Sequence, residues 1–134
     1  MAPRGDAADT GAADGADRTA PRNEVLLVGR VSGAPEERVL PSGDCLTTWR
    51  LVVDRGPGRP SPAGVRATTV DTFDCVAWTS AVRRRAAALL AGDVVEVQGA
   101  LRRRFWRAGA GAASRCEVEA TSVRRLSRRA RPTA

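Results

Sequence analysis

Only one stretch of this chain spaces its apolar residues at helical intervals. Between Ser80 and Leu90, the residues Ala81, Val82, Ala86, Leu89 and Leu90 fall near one another on a helical wheel. Ser80 is placed to cap the first turn, and Gly92 follows as a stop. The other apolar segments read as strands. Val25 to Val31 is a continuous apolar run that predicts burial on both faces. Gly33-Ala34-Pro35 breaks it, Glu37 to Leu40 resumes extended structure, and Pro41-Ser42-Gly43-Asp44 is a turn by composition. Cys45 to Val53 is a second strand, rich in β-branched and large residues. Val70 to Trp78 alternates, with Phe73, Cys75 and Ala77 on one face and Thr72, Asp74, Val76 and Trp78 on the other. A fourth strand starts at Asp93, a hairpin tip is expected over Gly109 to Ala113, and a fifth strand spans Arg115 to Val123.

The order is therefore strand, strand, strand, helix, strand, strand. An all-β class follows, with five short strands and one helix between the third and the fourth. A small Greek-key barrel of the oligonucleotide-binding (OB) type suits this order, and a half-open sandwich is the alternative that pattern alone leaves standing.

At 134 residues the chain holds one domain. Residues 1–22 contain no Val, Leu, Ile, Phe or Trp, too little apolar surface to offset the entropy of ordering, and are expected to be disordered. They also lack the apolar run of a signal peptide. Residues 54–66 carry the breakers Gly56-Pro57-Gly58 and Pro60 and are expected to be a mobile loop. Residues 124–134 hold five Arg and no acid, and read as a fraying tail. The folded domain is accordingly placed at 23–126, with a basic tail over 127–134. No apolar run is long enough to span a membrane, so a cytoplasmic, nucleoid-associated protein is expected.

Charge is unevenly spread. Residues 1–22 hold four Asp and three Arg, whereas the remainder holds 19 Arg against 11 acids. The folded part suits an anionic partner, nucleic acid first. The chain has no Lys and is rich in Ala, Gly and Arg, as GC-rich coding DNA produces, so arginine position carries more information than arginine number. The three cysteines, Cys45, Cys75 and Cys116, are widely spaced and no His accompanies them, which argues against a disulfide framework and a zinc site. Each lies in a strand-like segment and reads as a small buried hydrophobe. There is no phosphate loop, and Asp71 and Asp74 point to opposite faces of their strand. No enzyme and no cofactor is expected.

The fourth strand runs without a break into Leu101-Arg102-Arg103-Arg104-Phe105-Trp106-Arg107. Arginine neutralises phosphate and an aromatic ring offers a face to an unstacked base, the two chemistries that single-stranded nucleic acid requires together. A solvated basic hairpin with its rings in the core is the other reading of the same residues.

Asn23 to Val31, Pro35 to Arg38 and Gly92 to Arg102, taken in order, resemble the bacterial single-stranded DNA-binding protein family, and Val70 to Trp78 together with Arg102-Arg103-Arg104-Phe105-Trp106 looks like a divergent actinobacterial branch of it. Asn23-Glu24-Val25-Leu26-Leu27-Val28-Gly29-Arg30-Val31 is similar to the family's Asn-x-Val-x-Leu-x-Gly-x-Leu, and Pro35-Glu36-Glu37-Arg38 to its Pro-Glu-x-Arg. Gly92-Asp93-x-Val95-x-Val97-x-Gly99-x-Leu101-Arg102 resembles its Gly-x-x-Val-x-Ile-x-Gly-x-Leu-Arg. The resemblance covers residues 23 to about 126 and implies an OB-fold that stacks single-stranded DNA on aromatics, commonly as a homotetramer serving replication, repair or recombination. Trp106 and Trp78 fall on two of the family's stacking positions. A third is Thr72 here, and a fourth falls near Pro57, so the aromatic platform is reduced. Trp49 matches an apolar core position and is read as core, with Arg50 on the opposite face as a phosphate contact. Arg102, Arg103, Arg104 and Arg107, with Arg30, Arg38 and Arg55, complete the candidate phosphate contacts. Arg83-Arg84-Arg85 is read as a solvated helix face, and Phe105, which alternates with Trp106, as packing inward. The family's usual acidic C-terminal tip has a basic counterpart here, so recruitment of repair enzymes through a tail is not expected.

The expected activity is non-catalytic binding of single-stranded DNA by a homo-oligomer, dimer or tetramer. The competing readings are an OB-fold protein-interaction module of primosome type, which the missing aromatics favour, and RNA binding.

Overall fold

The computed structural model describes residues 18–56 and 69–128. Its elements in chain order are β1 (Val25–Val31), β2 (Glu36–Val39), β3 (Cys45–Asp54), β4 (Val70–Ala77), α1 (Ser80–Ala87), β5 (Val94–Ala108) and β6 (Gly111–Ser127). The strands form one sheet in the order β1-β5-β6-β4-β3-β2. Pairing of Arg30 with Val52 and of Val31 with Leu51 joins β1 back to β3 and closes the sheet on itself. The half-open sandwich is thereby set aside in favour of the barrel. The strand beyond the expected five is β2, a short exposed edge segment antiparallel to β3.

Alternation along the strands builds the core. Trp49 and Leu51 from β3, Cys75 and Ala77 from β4, Val95 and Val97 from β5, and Val118, Ala120 and Val123 from β6 are buried together. Burying each large apolar side chain contributes about 1.5–3 kcal/mol. Val82, Ala86 and Leu89 bring α1 against this cluster. The Thr79 hydroxyl, not that of Ser80, caps the helix, accepting from the Val82 N–H at 3.4 Å. The regular helix ends at Ala87, three residues short of Leu90, and Leu90 lies exposed beyond it. The buried Asp93 carboxylate accepts the Leu90 N–H at 2.9 Å, and the Gly92 N–H donates to the Val31 carbonyl at 2.7 Å.

Several expectations are corrected. β1 is not buried on both faces: Leu26 and Val28 are exposed, because only the Val25, Leu27 and Val31 side meets the core. β6 does not fray after Val123 but continues to Ser127, held opposite Val94 and Val95, with Arg124 paired to Glu96 and Arg125 to Asp93. Cys75 is buried, but Cys45, at the start of β3, and Cys116, on β6, are exposed. Of the residues expected to be disordered or mobile, 1–17, most of the 54–66 loop and the end of the basic tail fall outside the described residues, and residues 18–22 are exposed and outside any helix or strand.

The feature that matters most for function is the length of β5 and β6, 15 and 17 residues. At about 3.3 Å per residue β5 extends roughly 50 Å. From Leu101 to Ala112 every residue is exposed, so the paired ends form an arm projecting from the barrel. Its tip is a two-residue turn, Gly109-Ala110, tighter than the expected loop. Gly109 has a φ of 57° and Ala110 does not have a positive φ, the arrangement of a type II′ hairpin.

Candidate nucleic-acid interface

Strand register carries the face opposite the core cluster across five strands; Leu46, Val76 and Glu117 on it are buried, and its arginines point outward. Arg38 of β2 lies opposite Leu46, and Glu36 opposite Thr48, on β3. Thr48 and Arg50 lie opposite Val76 and Asp74 on β4. Val76 pairs in parallel with Glu119 of β6. On the arm, Arg102, Arg104 and Trp106 of β5 lie opposite Glu117, Arg115 and Ala113. Trp78, one residue past β4, continues the parity of Asp74 and Val76 and is half-buried, while Trp106 is 47% exposed. Six of the ten sequence-predicted residues, Arg38, Arg50, Arg102, Arg104, Trp78 and Trp106, thus share one surface. A groove of about 480 Å³ opens on it between residues 32–34 and the sheet, lined in part by Arg38, Arg50, Asp74 and Arg115.

The other four predicted residues are elsewhere. Arg30 sits at the barrel seam, opposite Val52 and 3.7 Å from the Asp54 carboxylate. Arg55, at the end of β3, forks onto Asp71 at 3.0 and 2.8 Å. That hydrogen-bonded pairing holds the Asp71 carboxyl below its ordinary range and the guanidinium above its own. Arg103 and Arg107 occupy the opposite face of the arm from Trp106.

Most arginines on the outward face already hold a carboxylate. Arg102 meets Glu119 at 2.6 Å, Arg50 meets Asp74 at 3.4 Å, and Arg104 reaches the buried Glu117 at 3.8 Å. Arg38 has no such partner among the described residues. Exposed ion pairs contribute only about 0–1 kcal/mol. A phosphate can therefore replace an exposed carboxylate at little cost, but the net electrostatic gain from each replacement is also small.

Arg115 was missing from the sequence reading. Its guanidinium approaches Asp74 at 3.9 Å, so this carboxylate sits between Arg50 and Arg115. The alternation of Arg115, Glu117 and Glu119 in the fifth strand is the signal that places it on this face. Trp49 is core, 4% exposed, and its indole N–H has no partner. Arg84 and Arg85 are exposed on α1 with no carboxylate partner among the described residues. Phe105 is not packed inward: it is 70% exposed. Its parity is that of the core residues Val95 and Val97, but by residue 105 the strand has left the barrel and there is no core for it to enter.

The sequence profile of the single-strand binding protein family matches residues 22–126. A single-stranded DNA-binding protein of Thermotoga maritima is 35% identical over 89 residues, covering 66% of this chain and 62% of that protein. Single-stranded DNA-binding protein 3 of Listeria innocua is 32% identical over 89 residues, 66% of this chain and 53% of its own length. The chain thus spans between about half and two thirds of these relatives. Among solved structures, a Plasmodium falciparum SSB complex with ssDNA matches with a TM-score of 0.67 at 22% identity, over 81% of this chain and 98% of that one. At that identity the likeness shows the fold, a closed strand-rich OB barrel. The family profile takes in the whole barrel, the arm and both outward tryptophans, and on that match this chain belongs to the single-strand binding protein family.

Proposed function

We propose that this chain binds single-stranded DNA without catalysis, through a domain over residues 23–126, by stacking bases on Trp78 and Trp106 while arginines of the outward face contact phosphates. The observation that carries this reading is the register that gives Trp106 and Arg38, Arg50, Arg102 and Arg104 one face, with Trp78 one residue past β4 at the same parity. Each stacked base contributes roughly 1–3 kcal/mol with little sequence preference. Rings and cations in this combination suit a strand whose bases are unpaired, as replication, repair and recombination produce. Among the described residues no helix is long and apolar enough to cross a membrane, and we place the activity in the cytoplasm, at the nucleoid.

Tryptophan fluorescence titrated with oligo-dT tests this. The expected result is quenching from Trp78 and Trp106, weaker binding to duplex, and about a five-fold or greater loss of affinity in Trp106→Ala. Absence of quenching together with equal affinity for duplex overturns it.

A homo-oligomer is part of the proposal. Leu26 and Val28 are 62% and 46% exposed and lie opposite Gln98 and Glu96, beside Val94. This strip of β1 and β5, two exposed aliphatic side chains beside polar Gln98 and Glu96, is a surface suited to a second copy, and light scattering measures the resulting mass.

A further inference from the structure

We propose that the arm carries a second base-stacking site, on the face opposite Trp106, built from Phe105 with Arg103 and Arg107. This inference rests on the single-stranded DNA reading and extends it: a strand that reaches Trp106 continues around the arm onto Phe105.

The two faces of the arm differ in charge. On the Trp106 face, Arg102 and Arg104 are matched by Glu119 and Glu117. On the other face, β5 supplies Arg103, Phe105 and Arg107, and β6 supplies Ala112, Ser114 and Cys116 across from them, with no carboxylate among these six residues. The attraction for phosphate is therefore less cancelled on the Phe105 face than on the Trp106 face.

The ring is also prepared for contact. Phe105 is 70% exposed against 47% for Trp106, so it offers more free aromatic surface than the predicted platform. The Arg103 guanidinium carbon lies 5.6 Å from the centroid of the Phe105 ring, within cation–π range. Arg103 is held there by neutral acceptors, Ser114 Oγ at 2.9 Å and Cys116 Sγ at 3.9 Å, which leave its positive charge available. The Arg107 side chain has no hydrogen bond or ion pair among the described residues. A base laid on Phe105 therefore has a cation beside its ring and another one strand step beyond.

The tip joins the two faces. A cavity of about 410 Å³ is lined by Phe105, Trp106, Arg107, Gly109, Gly111 and Ala112. The rest of its lining is small apart from Arg107, so a chain passing round the turn from one ring to the other meets no large apolar side chain there. The volume lies within the roughly 300–1,000 Å³ typical of small-ligand sites.

The test uses the full chain with Phe105→Ala, Phe105→Trp and Trp106→Ala, each titrated with poly-dT for affinity and occluded site size and weighed by light scattering. Phe105→Ala is expected to lose about five-fold or more in affinity and to occlude fewer nucleotides per chain, with unchanged oligomeric mass. Phe105→Trp is expected to restore both. A Phe105→Ala protein with wild-type affinity and site size, alongside a weakened Trp106→Ala protein, sinks this inference and leaves the parent reading standing. Failure of the wild-type protein to bind poly-dT sinks both. A change of mass in Phe105→Ala with DNA affinity intact assigns the ring to a protein interface and equally overturns the proposal.

Discussion

The three thiols of this chain have different environments and so report different things. Burial, reinforced by the nearby negative charges of Asp74 and Glu117, pushes the Cys75 thiol up to about 12. Cys45 and Cys116 are exposed. In the native protein, a thiol reagent at mildly alkaline pH is expected to modify these two and spare Cys75, which becomes reactive only in denaturant; a third native thiol titrating at the same rate contradicts the burial. Because the folded value lies above the ordinary thiol value near 9, the unfolded chain releases this proton first. Stability from Cys75 is therefore complete below pH about 9 and declines as pH rises toward about 12. Residue-scale features were unevenly legible. Trp49 as core rests on the resemblance and is buried at 4% exposure, whereas the parity of Trp78 follows from alternation, which depends only on a residue's neighbours in its own strand. The misreading of Phe105 has the same origin: alternation assigns a face and says nothing about whether a core still lies beneath it.

Elements were legible where their signal is local. The helical window from Ser80 and the strands around Trp49 and Phe73 are set by spacing within about ten residues. The cap moved from Ser80 to Thr79 because two adjacent hydroxyls compete, and only the one with extended backbone can accept from Val82. The reach of β5 through Arg107 was legible as a continuation of its alternating strand, but that of β6, which runs from Gly111 to Ser127 and not from Arg115 to Val123, was not, since its small-residue start and basic end have no apolar pattern and are ordered by pairing with β5. That pairing contains a bulge. The register shifts between Gln98 and Gly99, and a Cβ at Gly99 would overlap the Glu119 carbonyl oxygen. Gly99→Ala is accordingly expected to destabilise the fold by roughly 1–3 kcal/mol, the usual cost of overpacking, read as a lower urea midpoint. An unchanged midpoint would show that β6 moves aside freely at this point.

For the whole molecule, the question is how much of a +7 net charge faces DNA unopposed. Ten residues were proposed as contacts and eight of them are arginines, but five of those eight hold carboxylates in the free protein. Three, Arg38, Arg103 and Arg107, do not. Counterion release for single strands gives a slope of about −0.7 in log affinity against log salt per phosphate neutralised. All eight acting freely would give a slope near −6, and the three unopposed ones a slope near −2. Oligo-dT affinity measured from low to moderate salt is expected to follow the shallower line. A slope near −6 would mean that DNA displaces the carboxylates and that they acquire no counterions of their own.

The paired arginines also decide which polymers are turned away. Double-stranded DNA, polyphosphate and an anionic membrane all present dense negative charge, and a bare arginine surface would collect each of them. On the function proposed above, such an impostor displaces Glu119 from Arg102 and Asp74 from Arg50 for little net gain, and it has no unpaired base to lay on Trp106 in return. On that same proposal the acids opposite those arginines act as an admission requirement: charge alone gains little, and charge accompanied by open bases is kept.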